Sequence, residues 1–244
     1  MKIAILEDEP EYTDLICQAL RATGLICTPF QNCNEILKEL RRESYDMLIL
    51  NWHMPDLSGS QILDWVRRKL SNTIPVLFVS SCSGESSLVE VLDAGADDYI
   101  HNPIQHSELL ARVRALLRRA YPHHQATGQI AFNDYLFDTN SGCLTLAGKK
   151  IETTSKDFSL ALLLFQNMGR ALSRSYIIEA IWARDIEIPS RTLDTHICRV
   201  RSKLELRPEN GYRLSPVYCY GYRLERLNTL PNKSKQITSS PRTR

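Results

Sequence analysis

The chain is predicted to fold as two units, a doubly wound α/β half built on a five-stranded parallel sheet and a smaller α+β half behind it. Three observations carry this reading. Short apolar runs alternate with amphipathic helical stretches through the first 120 residues. Two of those runs, 47–50 and 76–80, are apolar almost throughout, as in parallel strands covered on both faces. Past a break at 121–128, which contains Pro122 and ends on Gly128, the pattern changes to short strands, three helices and a terminal hairpin. Charge divides at the same place. Residues 1–120 hold 12 Lys/Arg against 17 Asp/Glu, and the rest hold 18 against 11, so the second half suits a polyanion.

In order, strands are expected at 2–6, weakly near 26–28, then at 47–50, 76–80 and 98–100, with helices at about 10–22, 33–42, 60–70, 85–94 and 107–119. Alternation of this kind gives a doubly wound domain over 1–120 whose site lies at the carboxyl ends of its strands. After a linker at 121–128, strands fit near 130–137 and 143–151, helices at about 155–167, 173–181 and 190–205, and a hairpin at about 212–224. Three helices flanked by strands suggest a winged helix-turn-helix over 129–226. The polar segment 227–244, with Pro231 and Pro241, reads as a disordered tail.

Several function classes are set aside. No run of 18 apolar residues marks a membrane span, and the start lacks the basic, apolar and small-residue order of a secretory signal, so a cytoplasmic protein is expected. Seven cysteines without a Cys-x-x-Cys pair suggest neither a zinc site nor a disulfide framework. No catalytic triad, phosphate loop or metalloprotease motif appears, and an enzyme is not expected.

Glu7, Asp8 and residue 51 end neighbouring strands in this topology, and three oxygen-bearing side chains there would suit Mg²⁺, a hard cation. The strand Lys2-Ile3-Ala4-Ile5-Leu6 before Glu7-Asp8-Glu9, the strand Met47-Leu48-Ile49-Leu50 before Asn51, and the loop His53-Met54-Pro55-Asp56-Leu57-Ser58-Gly59 together resemble the receiver domain of two-component response regulators. The resemblance implies roles. Glu7 and Asp8 match the acidic pair, His53 supplies the backbone carbonyl, Ser80 is the hydroxyl residue and Tyr99 the aromatic switch. Two positions depart. Asn51 stands where the family has its phospho-accepting aspartate, and Asn102, before Pro103, stands where it has a lysine. An amide is a very poor nucleophile, and without the lysine no cation balances a phosphoryl group. A pseudo-receiver follows, with no cofactor required and Mg²⁺ held weakly, if at all, by Glu7 and Asp8. The facing amides of Asn51 and Asn102 are expected to hydrogen-bond to each other.

Active members of the family's winged-helix branch pair through the fourth helix, fifth strand and fifth helix. Asp97, Asp98, Glu108, Arg112 and Arg119 match the charged positions of the last strand and helix, whereas Leu88 and Glu90 replace basic residues on the fourth helix. The charged clasp of the homodimer is therefore in question, with Leu88 offering an apolar contact instead.

In the second half, Leu193, Ile197, Val200 and Leu204 form one helical stripe, while Thr192, His196, Arg199 and Lys203 repeat the spacing on another face. Thr195 lies beside them, and Arg191 and Arg201 flank the helix. Anchored on one side and basic on the other, such a helix can enter the major groove. With Thr153-Thr154-Ser155-Lys156-Asp157-Phe158, Gly169-Arg170-Ala171-Leu172-Ser173-Arg174, Ile181-Trp182 and Gly221-Tyr222-Arg223-Leu224 in order, the half resembles the OmpR/PhoB-type winged-helix domain. The resemblance implies a hairpin wing carrying Tyr218 and Arg223. Tyr218 occupies the place of the family's minor-groove arginine and cannot supply its charge. Lys233, Lys235, Arg242 and Arg244 in the tail could add nonspecific phosphate attraction.

The expected function is sequence-specific DNA binding by a transcription regulator independent of aspartyl phosphorylation. Double-stranded DNA, RNA polymerase and a second copy on DNA are its expected partners, and a cognate sensor kinase is left open. The alternative is an interaction module that pairs with another regulator and has little DNA binding of its own.

Overall fold

The computed structural model describes residues 1–70, 74–80, 85–124, 128–182 and 190–227, with backbone alone at 85–88 and 190. The first half opens with β1 (Lys2–Leu6), α1 (Pro10–Arg21), β2 (Ile26–Phe30), α2 (Cys33–Leu40), β3 (Met47–Asn51) and α3 (Gly59–Lys69). It continues with β4 (Val76–Ser80), α4 (Glu85–Asp93), β5 (Asp98–His101) and α5 (His106–Ala120). The five strands form one parallel sheet in the order β2-β1-β3-β4-β5. β3 and β4 are buried along nearly their whole length, which accounts for their unbroken apolar sequences. β2 lies at the edge, where Pro29 costs no hydrogen bond to a further strand. Its mixed composition reflects that position and explains its weak sequence signal.

Local chemistry sets the helix starts. Asn32 caps α2 by accepting from the Glu35 N–H at 2.9 Å. Ser58 begins α3, and its N–H donates to the Gln61 side chain at 3.2 Å. A Cβ on Gly59 would sit 2.7 Å from the Phe78 ring and 3.1 Å from Trp52 Cα, so only glycine lets α3 start this close to the sheet. One apolar layer, including Ile16, Leu20 and Val113, packs α1 and α5 on one face of the sheet. Another, including Ile36, Ile62 and Phe78, packs α2 and α3 on the other.

The second half begins with a four-stranded antiparallel meander of β6 (Gln129–Phe132), β7 (Tyr135–Asp138), β8 (Cys143–Leu146) and β9 (Lys149–Ile151). The two strands expected at 130–137 and 143–151 are thus two hairpins. Asn133 and Ala147 adopt positive φ at their turns, a conformation that apolar patterning does not reveal. Next come α6 (Ser155–Gln166), β10 (Ala171–Ser173), α7 (Arg174–Trp182) and α8 (Ser190–Lys203), then β11 (Tyr212–Val217) and β12 (Gly221–Arg226). β10 was not anticipated. It pairs with β12 and moves the start of α7 to Arg174. Gly221 makes this pairing possible, because a Cβ there would overlap the Leu172 carbonyl oxygen. The proposed tail lies outside the described residues apart from Leu227.

The halves are joined by a buried polar network below the amino ends of the parallel strands. Arg170 is 2% exposed, and its Nη1 donates to Asp46 Oδ1 at 2.9 Å, to Asn167 Oδ1 at 3.0 Å and to the Tyr121 hydroxyl at 3.1 Å. Its Nη2 donates to the Tyr45 carbonyl at 2.7 Å. Asp46 also accepts from the Tyr176 hydroxyl at 2.8 Å and the Lys2 N–H at 2.7 Å. Burial alone would push Asp46 up, but the Arg170 charge and these hydrogen bonds hold it below the usual carboxylate value. Beside this centre the Ser173 N–H donates to Ser44 Oγ at 2.7 Å, Ser44 Oγ and the Tyr220 hydroxyl share a 2.9 Å hydrogen bond, and Lys2 pairs with Glu179 at 2.8 Å. Of the expected linker, Tyr121 is buried and donates to the Asp46 carbonyl at 2.9 Å, so this end of the segment is pinned between the halves.

Candidate functional site

β1 and β3 are adjacent, and their carboxyl ends bring Glu7, Asp8 and Asn51 together. The Asn51 amide donates both hydrogens, to Glu7 Oε1 at 3.1 Å and to Asp8 Oδ1 at 3.0 Å. Its Oδ1 accepts the His53 N–H at 3.0 Å, which fixes the orientation of the amide. Glu7 is 2% exposed, and its Oε2 has no hydrogen-bond partner among the described residues. Burial, with the Asp8 carboxylate close by, pushes Glu7 up to about 7 against the lowering effects of the Glu9 N–H and Asn51.

These donors do not fit Mg²⁺ as arranged. An N–H₂ group occupies the position between the carboxylates, and the amide oxygen is engaged by the His53 N–H. Ser80 is buried at the end of β4 and its carbonyl accepts the Asn102 N–H at 2.9 Å. Asn102 precedes a cis proline bond. The expected hydrogen bond between Asn51 and Asn102 is not formed. Asn51 spends its donors on the acids, and Asn102 Oδ1 is buried without a partner among the described residues. A neutral amide facing two carboxylates satisfies them more directly than it could satisfy a second amide, which the sequence reasoning overlooked. The half-buried Tyr99 ring packs against the core that holds Phe78 and Val91.

On the expected pairing face, the charges bind one another within the chain. Arg112 contacts Asp98 and Glu108, both at 2.8 Å. Asp97 is held by Arg67 at 2.7 Å and by the Val76 N–H at 2.7 Å. Arg119 and Glu90 are exposed, and the Leu88 side chain lies outside the described residues. Val89 and Leu92, unremarked in the sequence, are 52% and 43% exposed on α4.

α8 presents the basic surface. Leu193, Ile197, Val200 and Leu204 are buried against the second core, which leaves Arg191, Thr195, Arg199 and Lys203 exposed and Thr192 half-buried. His196 is a correction to the DNA-facing set. Its Nδ1 lies 2.7 Å from Oδ1 of the fully buried Asp157, and its ring meets Trp182 edge-on. Helical spacing placed it beside Arg199, but a buried carboxylate at the start of α6 draws the ring inward. Lys203 Nζ reaches Asp157 Oδ2 at 3.8 Å. Burial would raise Asp157, yet the hydrogen bonds from His196 and Thr154 and the Lys203 charge hold it low. α8 is fixed from its other sides as well. Arg201 Nε donates to the Leu214 carbonyl on β11 at 3.1 Å, and Asp194 pairs with Arg174 at 2.8 Å and accepts from the Tyr222 hydroxyl. At the hairpin tip Tyr218 is 94% exposed. Arg223 sits on the outer face of β12 with Glu225 at 3.6 Å, directed away from α8.

No described helix is long and apolar enough to cross a membrane. Residues 3–114 match the family described as response regulator receiver domain, and residues 148–224 match that described as transcriptional regulatory protein, C terminal. The sensory transduction protein RegX3 of Mycolicibacterium smegmatis is 33% identical over 226 residues, covering 91% of this chain and 98% of that protein. The phosphate regulon transcriptional regulatory protein PhoB of Rhizobium meliloti is 32% identical over 204 residues, covering 83% and 89%. Among solved structures, the response regulator DrrB, described as a Thermotoga maritima OmpR/PhoB homolog, aligns at a TM-score of 0.45 and 26% identity over 92% of this chain and 98% of that one. With a receiver-type α/β half joined to a DNA-binding winged helix, the chain belongs to the OmpR/PhoB-type response regulators, a family of transcription regulators rather than enzymes.

Proposed function

We propose that this regulator binds specific DNA sites without aspartyl phosphorylation and without requiring Mg²⁺. The observation that carries the reading is the Asn51 amide hydrogen-bonded to both Glu7 and Asp8, in the place where attack on phosphorus would need a carboxylate. Asn102 supports it, because a neutral side chain there offers no cation to a phosphoryl oxygen. The exposed Arg191, Thr195, Arg199 and Lys203 make the major-groove contacts, and Tyr218 lies against the backbone or minor groove from the wing. Two copies occupy half-sites one DNA turn apart and recruit RNA polymerase. Because the Asp98–Arg112–Glu108 charges are already paired within each chain, the exposed Val89 and Leu92 carry more of that association than a charged clasp does.

Footprinting of genomic fragments by the full-length protein, with and without Mg²⁺ and beryllofluoride, tests the reading. Identical protected sites at equal affinity are expected. Tighter binding, or a new pattern only with the phosphoryl mimic, would return the protein to phosphorylation control.

A further inference from the structure

Between the two halves lies a cavity of about 340 Å³, a volume within the range of small-molecule sites. Its receiver wall comes from the carboxyl ends of α2 and α3, with Arg41, Trp65 and Lys69. Its opposite wall is the outer face of the hairpin, with Tyr218, Tyr220 and Arg223. Three cations therefore converge on one cavity, and among the described residues no carboxylate lines it. Three aromatic rings share the lining. The Arg41 guanidinium already lies 5.8 Å from the Trp65 ring centre, so a flat face and a charge are presented together. Arg223 Nε is buried with no hydrogen-bond partner among the described residues, although its Nη1 has Glu225 at 3.6 Å. The Arg223 side chain keeps 29% of its surface exposed, and its Glu225 contact at 3.6 Å is longer than a direct hydrogen bond, which leaves its charge able to meet an anion.

We propose that this cavity binds a small planar aromatic anion, a ring carrying one or two phosphates in the manner of a mononucleotide. The ring stacks on Trp65 or the tyrosines, and the phosphate bridges Arg41 and Lys69 of the receiver to Arg223 of the wing. Such a ligand touches both halves and lies against the hairpin that carries Tyr218, so its binding and DNA binding are coupled, and the coupling is reciprocal. The proposal rests on the phosphorylation-independent reading only in offering the control input that reading lacks. Occupancy of the cavity and response to beryllofluoride are separate measurements, and either can fail alone.

The test is calorimetric titration of the full-length protein with AMP, GMP, CMP and UMP, with inorganic phosphate and adenosine as single-feature controls. At least one nucleotide is expected to bind with Kd below about 1 mM, and phosphate or adenosine alone at least about tenfold more weakly. An Arg41→Gln/Lys69→Gln variant alters two exposed side chains and should keep the parent circular dichroism and Tm while losing about tenfold or more in nucleotide affinity. The proposal is overturned if no nucleotide binds with Kd below about 1 mM, if phosphate or adenosine alone binds as tightly, or if the variant binds like the parent.

Discussion

The Arg170–Asp46 pair allows a quantitative test of how the halves are held together. Both side chains are almost wholly buried, 2% and 0% exposed, and they meet at 2.9 Å. Asp46→Asn keeps the shape, but its single amide oxygen cannot replace both Oδ1, which accepts from Arg170 and the Tyr176 hydroxyl, and Oδ2, which accepts the Lys2 N–H, and it strands the Arg170 charge. Removing one partner of a buried pair costs about 3–5 kcal/mol, most of it the penalty of the unpaired charge. At roughly 2–4 °C per kcal/mol for a chain of this size, Tm should fall by about 6–20 °C. Arg170→Met should cost a similar amount by stranding Asp46. Joined in one chain, the two changes strand neither charge, so their combined cost should lie well below the sum of the singles. Calorimetry and urea unfolding of the four proteins measure the cycle. The Asp46 pKa is depressed in the folded state, so the pair's stabilisation is present above the unfolded carboxylate value and lost as pH falls through the lower folded value. The difference between wild type and Asp46→Asn should therefore shrink only in strong acid. Single costs below about 1 kcal/mol, or costs that add in the double variant, would refute the account of this junction as a coupled, desolvated pair.

Two further outcomes separate the sites. Glu7 is raised to about 7 by burial and Asp8, so its stabilising contribution is complete below the unfolded value near 4.5 and is lost as pH rises through 7. Wild-type Tm should fall between pH 5 and pH 8, by the linkage just given, and Glu7→Gln should flatten that fall; parallel profiles would sink the assignment. On α8, Arg199→Ala should weaken binding to a footprinted site by about 1–3 kcal/mol, roughly 5- to 150-fold, with Tm unchanged. His196→Ala should instead lower Tm, because it removes the closest partner of buried Asp157. Gel-shift titrations and thermal melts of both variants would expose a reversed assignment.

Legibility in the sequence followed the physics of each element. β3 and β4 were readable because burial on both faces demands an unbroken apolar run, and the stripe on α8 was readable because one side of a helix must meet a core. β10 was hidden because three residues define no period, and its existence depends on a backbone approach that Gly221 permits from about 50 residues away. The strand-end acids and Asn51 were found as a set, but the amide's partners were not. Spacing brings residues to one end of a sheet without ranking the acceptors an amide will meet there. His196 shows the same limit on a helix. Periodicity assigned it a face, while the direction of its ring was decided by a carboxylate 39 residues earlier in the chain. The junction was the least legible feature. Arg170 and Asp46 are 124 residues apart, each charged and each unremarkable in its own segment. Charged side chains read from sequence alone are assigned to solvent, because only a partner of opposite sign makes burial tolerable and the partner is set by tertiary structure. Spacing within either segment therefore points to neither Asp46 nor Arg170 as a junction residue, and a double-variant cycle measures the coupling that their joint burial requires.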